Sequence, residues 1–247
     1  MKLFLSMLLI FWTTLVAGKI NLAVAANLGY VMPELTRVFN QKYPDIQVIS
    51  TVASSGVLTA QIKQGARYDL FLSANMKYPN YLYEQNLALE RPKLYAEGSL
   101  ALFSPKKLNC HSDMHCLLRD EVKRIAVGNP KTAPYGKASI EAFKSAQLYK
   151  QIKPKLIYAE SISQTLSYAL TAADMGVIAK ASLFAPKMKR YQKGEHWIEV
   201  DPTLYQSIKQ GMVLLKRGRY PSEAQKFYHF LQMAEAKNIF RSFGYEL

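Results

Sequence analysis

Two rhythms of apolar positions alternate along the chain. Short apolar runs at residues 20–25, 46–49, 69–73, 99–103, 125–128, 156–158, 176–179 and 211–215 have the length and composition of strands. Between them lie stretches whose apolar residues recur every three or four positions. Residues 28–42 carry a stripe of Leu35, Val38 and Phe39, and the run after Gly56 carries Leu58, Ile62 and Ala66. Helices are also expected over residues 76–86, about 137–146, 161–173, from Pro221 through Leu231, and 234–243. Strands alternating with helices predict an α/β protein with largely parallel sheets. Ligands in such sheets bind at the carboxyl ends of strands, beside helix N-termini.

The strand-to-helix junctions are therefore the places to look for chemistry. Ser54-Ser55-Gly56 precedes an amphipathic run that Gly65 stops, and a buried strand from Asp69 follows. Two hydroxyls and several unpaired backbone N–H groups thus meet at one helix start, where the helix dipole favours anions. Asn27 is placed to cap the helix after the first strand, with Pro33 tolerated in an early turn. Ser161 or Ser163 can cap a third helix, and Pro134-Tyr135-Gly136 leads into a fourth. Any one such cap is ordinary for a βα loop. Together they suggest helix N-termini converging on one ligand.

Composition narrows the setting. The 247 residues are 49% hydrophobic and 20% charged, which fits a globular protein of one or two domains with a sizeable core. Lys2, an apolar core over residues 3–16 and the small residues Val16-Ala17-Gly18 form an export signal, so residues 1–18 are excluded from the fold and the mature protein is expected in the periplasm. The net charge of +14 does not gather into a run or one helix face, which disfavours nucleic acid as a partner. Cys110 and Cys116 in an exported chain suggest a small disulfide loop. With His111 and His115 they also make a Cys2His2 set, although adjacent Cys-His pairs do not easily face one ion.

The wording of the junctions goes further than their number. Ala25-Ala26-Asn27-Leu28, then VASSGVL with AQIKQGARYDLFLSAN, IAVGNPKTAPYG, AES-Ile162, GVIA and the terminal NIFRSFGYEL resemble the periplasmic molybdate-binding proteins of ABC transporters across the mature chain. The resemblance implies a type II periplasmic-binding-protein fold: two mixed sheets flanked by helices, with the chain crossing twice between lobes. Lobe I is expected over residues 19–99 and 208–247, and lobe II over 100–207. It implies a non-catalytic, monomeric carrier with no cofactor, which binds molybdate or tungstate and delivers it to a membrane permease. The ligand positions it implies are Asn27 through side chain and backbone, Ser55 through hydroxyl and backbone, and the backbone N–H groups of Tyr135 and Ile162. A fifth contact, a tyrosine hydroxyl, falls on Ala179 and is missing; either the oxyanion takes one bond fewer, or another group such as Tyr135 or Tyr158, or a water, compensates. Asp69, in the DLF motif, is expected to accept structural N–H bonds, because a carboxylate beside an oxyanion repels it.

Other readings stay open at this stage. Sulfate or another tetrahedral oxyanion suits the same class. An exported phosphate-ester enzyme is a different class, but the chain has no G-x-S-x-G elbow, P-loop or H-E-x-x-H motif. His196 and His229 stand apart from any nucleophile motif and suit surface or packing roles.

Overall fold

The computed structural model describes residues 18–247 apart from 109, 111, 112 and 220. The expected export signal, except Gly18, and His111 therefore lie outside the described residues. The chain builds two five-stranded mixed sheets. The first holds β1 (Gly18–Ala25), β2 (Ile46–Ala53), β3 (Leu70–Leu72), β4 (Lys93–Gly98) and β10 (Ile208–Leu214), in the order β2-β1-β3-β10-β4. The second holds β5 (Leu100–Phe103), β6 (Ile125–Gly128), β7 (Leu156–Ala159), β8 (Met175–Ala179) and β9 (Trp197–Glu199), in the order β7-β6-β8-β5-β9. In each, three strands run parallel, as βαβ crossovers require, and the rest pair antiparallel. The chain leaves the first sheet between β4 and β5, with only Ser99 between them, and returns between β9 and β10.

Helices cover both faces of each sheet, which is why the central strands lack a polar face. In β1, Ile20, Leu22 and Val24 face one way and pack with Phe39 of α1 (Met32–Lys42), Phe227 of α7 (Pro221–Phe230) and Phe240 of α8 (Ala234–Ser242). Ala23 faces the other way, with Phe71 and Val213, against Leu58 and Ile62 of α2 (Ser55–Lys63) and Leu82 of α3 (Lys77–Glu84). The second sheet repeats the scheme. Leu100, Val127 and Val177 pack with Phe143 of α4 (Pro134–Ser145) and Ile152 of α5 (Tyr149–Ile152). Phe103, Ala126 and Ile178 pack with Leu166 and Ala169 of α6 (Ile162–Thr171).

Several local expectations change. Asn27 is not a helix cap: residues Ala26–Tyr30 form a short 3-10 turn, and α1 starts later, behind Val31, with Pro33 in its first turn. Asn27 is fully buried there. Helix α4 starts at Pro134, so Tyr135 sits in its first turn and not in a preceding loop. Strands β4 and β9 escape the pattern, being short or lacking clean alternation.

Cys110 and Cys116 are joined in a disulfide. The loop they close is not merely superficial: both are buried and pack with Leu108, Met114, Leu117 and Val122. The exposed ring of His115 turns to Asp113 at 3.3 Å. Among the described residues no cluster of His, Cys, Asp and Glu could hold a metal ion. A loop this short contributes modestly to stability, about 2 kcal/mol by restricting the unfolded chain. The double variant Cys110→Ser, Cys116→Ser should lose that much or somewhat more in denaturant unfolding, since two hydroxyls enter an apolar cluster, while anion affinity stays the same.

Candidate functional site

Three helices bring their N-terminal ends to one cavity, lined by residues from the connections of both sheets. Helix α2 arrives with Ser54 and Ser55, α4 with Ala133, Pro134 and Tyr135, and α6 with Ile162. Ala25, Ala26 and Asn27, from the end of β1 and the turn after it, complete the wall with Ala74. They enclose a cavity of about 10 Å3. That is about the space one water needs, far below the pockets of organic substrates, which usually run to about 300–1,000 Å3. A wider hollow of about 80 Å3, also lined by Ala74 and Pro134, adjoins it. Asn27, Ser55, Tyr135 and Ile162, far apart in sequence, thus line a single cavity.

The backbone supplies donors there. The first bond of the α2 ladder runs from Leu58 N–H to the Ser54 carbonyl, 3.0 Å. That of α4 runs from Lys137 to Ala133, 3.1 Å, and that of α6 from Thr165 to Ser161, 3.0 Å. The N–H groups of Ser55, Tyr135 and Ile162 precede these ladders and have no acceptor within their helices. Ser161 does cap α6, accepting from Gln164 N–H at 3.2 Å. The helix dipoles add positive potential at the same three ends.

The two serines divide the work differently than the sequence suggested. Ser55 Oγ accepts the Ala74 N–H at 2.9 Å, which ties α2 to the chain leaving β3 and leaves its own proton to donate. Ser54 occupies the cap position of α2, but its hydroxyl caps nothing; it is buried with no partner. Asn27 also differs. Its Nδ2 donates to Gln210 Oε1 at 2.8 Å and to Tyr245 Oη at 3.0 Å, neither residue lining the cavity. Its Oδ1 is buried without a partner. Beyond lies a polar cluster: Tyr95 Oη donates to Gln210 Oε1 at 2.9 Å, and Gln210 Nε2 donates to Tyr135 Oη at 3.2 Å. Gln210, Tyr95 and Tyr245 were not singled out from the sequence, whereas Ser54 was marked there as half of the doubled serine.

Among the described residues no Lys, Arg, Asp or Glu lines the cavity. Burial pushes the hydroxyls of Tyr95, Tyr135 and Tyr245 well above the ordinary tyrosine range, so they stay protonated at any physiological pH. Asp69 lies outside the lining, and its carboxylate takes the Asn21 backbone N–H at 2.6 Å. Ala179, at the end of β8, does not reach the cavity, and neither does half-exposed Tyr158. The Tyr135 hydroxyl accepts from Gln210 Nε2 at 3.2 Å and keeps its own proton to donate. A buried hydroxyl without a partner at the site is that of Ser54.

The two lobes touch across this site. Gly56 N–H donates to the Thr132 carbonyl at 3.0 Å, and Tyr78 Oη donates to the Lys131 carbonyl at 3.3 Å.

Residues 20–246 match the family model of the bacterial extracellular solute-binding proteins. The chain belongs to that family. It is 34% identical to the molybdate-binding protein ModA of Rhodobacter capsulatus over 233 residues, which cover 93% of this chain and 88% of the relative. The solved structure of the Azotobacter vinelandii periplasmic molybdate-binding protein superposes with a TM-score of 0.86 at 27% identity, covering 92% of this chain and 99% of that one. The sulfate-binding protein SubI of Mycobacterium tuberculosis H37Rv shares the fold, with a TM-score of 0.74 at 14% identity, 92% of this chain and 86% of that one being covered. These are binding proteins, not enzymes, and the two-lobed architecture is theirs. Among the described residues no helix is long and apolar enough to cross a membrane.

Proposed function

We propose that the protein captures molybdate, and tungstate with it, in the cavity between its lobes and delivers it to the membrane permease of an ABC transporter. It acts as a monomer in the periplasm, exported by residues 1–18. One observation carries the reading: three helix N-termini and neutral hydroxyl and amide groups meet at a cavity of about 10 Å3 with no charged side chain in its wall. A dianion is then held by dipoles alone, which discriminate by size and geometry. The donors are the backbone N–H groups of Asn27, Ser55, Tyr135 and Ile162 and the hydroxyls of Ser55 and Ser54, the last taking the place of the absent tyrosine at Ala179. Residues 19–99 with 208–247 and residues 100–207 act as rigid lobes that close over the ion. A phosphate-ester enzyme is disfavoured because no histidine, carboxylate or lysine that could serve as a base is among the described residues lining the cavity with the serines.

Calorimetric titration with molybdate, tungstate, sulfate and phosphate tests this. Molybdate and tungstate, nearly equal in size, should bind tightly and alike. Sulfate is smaller, leaves the donors at stretched distances and should bind weakly, because hydrogen bonds weaken as they lengthen. Sulfate matching molybdate in competition would move the assignment to a sulfate carrier. Molybdate affinity should also be flat from about pH 6 to 9, since no carboxylate, histidine or lysine lines the wall and the buried tyrosines titrate far higher. A step in affinity within that range would place an ionisable group at the ion.

A further inference from the structure

The Asn27 amide, in a residue that lines the cavity, keeps its donors within the protein. Its two N–H bonds are spent on Gln210 and Tyr245, outside the cavity lining. The amide's other end, Oδ1, is a buried acceptor with no partner, and an acceptor beside a fully deprotonated oxyanion repels it. The neighbour that fixes this orientation is itself an amide. Gln210 is completely buried on β10, the strand on which the chain returns from the second sheet, at a break in its register with β4. Its Oε1 takes Asn27 Nδ2 and Tyr95 Oη, and its Nε2 reaches Tyr135 Oη from α4.

An amide carries a donor and an acceptor in nearly the same shape, so a half-turn exchanges them without moving heavy atoms elsewhere. If both amides turn, Gln210 Nε2 donates to Asn27 Oδ1 and to Tyr95 Oη, and Tyr135 donates its proton to Gln210 Oε1. Tyr95 turns its one proton from Gln210 to the Ser73 carbonyl, 3.0 Å away. Tyr245, which donates to the Asn27 carbonyl at 3.1 Å, turns its proton to Oδ1. The hydroxyls of the cluster keep partners, the Asn27 carbonyl gives up the Tyr245 proton, and the orphaned side-chain atom becomes Asn27 Nδ2, a donor that an oxyanion satisfies. A carboxylate or an apolar residue at position 210 lacks this exchange.

The geometry points to Gln210 as a specificity-determining positioning residue: its amide turns together with that of Asn27 and sets whether the cavity presents an acceptor or a donor to the ion. This rests on the oxyanion reading above. With the acceptor inward the site suits an anion that still carries a proton; with the donor inward it suits molybdate.

A double-mutant cycle tests it. Molybdate is titrated into the native protein, Gln210→Met, Asn27→Ala and the double variant. Gln210→Met should weaken binding about tenfold by leaving the Asn27 amide unset. The double variant should bind no more weakly than Asn27→Ala, because Gln210 acts only through Asn27. Native affinity in Gln210→Met, or a full further loss in the Asn27→Ala background, would overturn the assignment. A native protein that binds no molybdate would instead overturn the proposed function. The side-chain amide 15N–1H signals of the unmutated protein give a second readout, independent of whether Gln210→Met folds. Both the Asn27 and the Gln210 pairs should shift on adding molybdate; a moving Asn27 pair with a still Gln210 pair would refute the coupled turn.

Discussion

Gly56→Ala should bind molybdate about ten- to a hundred-fold more weakly than the native protein, yet melt at the same temperature, or slightly higher, without ligand. Gly56 sits in the first turn of α2, with no left-handed backbone to make glycine necessary. Alanine there favours the helix by up to about 1 kcal/mol. The space around it is what forbids a methyl. A Cβ would stand 2.9 Å from the Cα and carbonyl oxygen of Thr132 and 2.8 Å from Tyr78 Oη. Thr132 belongs to the loop between β6 and α4, in the opposite lobe. Its atoms at fault are backbone, which cannot turn aside as a side chain can. The Gly56 N–H to Thr132 carbonyl bond, 3.0 Å, holds the lobes at this approach. Overpacking of this kind costs about 1–3 kcal/mol. The cost falls on the closed arrangement alone, because separated lobes relieve it. Penalising the binding-competent state lowers the apparent affinity by the same factor. Melting curves without ligand and calorimetry with molybdate separate the two states. Unchanged affinity with a lowered melting temperature would show that the lobes do not separate at this contact.

The α/β alternation was legible because each element has its own hydrophobic period, and central strands covered on both faces appear as unbroken apolar runs. Ile20 to Ala25 is the clearest, buried throughout except for half-covered Asn21. Strands β4 and β9 were not legible: Lys93-Leu94-Tyr95 begins with two exposed residues, and Trp197–Glu199 spans only three. The gathering of Asn27, Ser55, Tyr135 and Ile162 could be expected from the junction motifs, since each lies at a helix start or the turn before one. The orientation of their side chains could not. Whether Asn27 caps a helix or bonds Gln210 depends on a partner 183 residues away, and no local pattern encodes that pairing. The same holds for Ser54. At a Ser-Ser-Gly turn, local preference assigns one hydroxyl to the helix cap. Here the Ala74 N–H, arriving from β3, takes Ser55, and the hydroxyl at the cap position is left for something the chain itself does not supply.

That division makes the two serines separable by experiment. Ser55→Ala removes a hydroxyl with two duties. The buried Ala74 N–H loses its acceptor, which costs about 1–3 kcal/mol of stability, and the ion loses a donor worth about 1.5–3 kcal/mol in a charge-assisted bond. Lower melting temperature and affinity weakened by roughly ten- to a hundred-fold should therefore appear together. The Ser55 backbone N–H and the helix dipole survive the change, so binding weakens without vanishing. Ser54→Ala removes a hydroxyl that has no partner within the protein. An unsatisfied buried polar group is a burden on the ligand-free fold, so its loss should leave the melting temperature unchanged or slightly raised. Its effect on molybdate should still be about tenfold, because this partnerless hydroxyl belongs to a residue that lines the cavity. Melting curves of the ligand-free proteins and titrations with molybdate decide both. A Ser54→Ala protein that melts lower and binds as before would mean that this hydroxyl serves the helix, and that only Ser55 of the pair meets the ion.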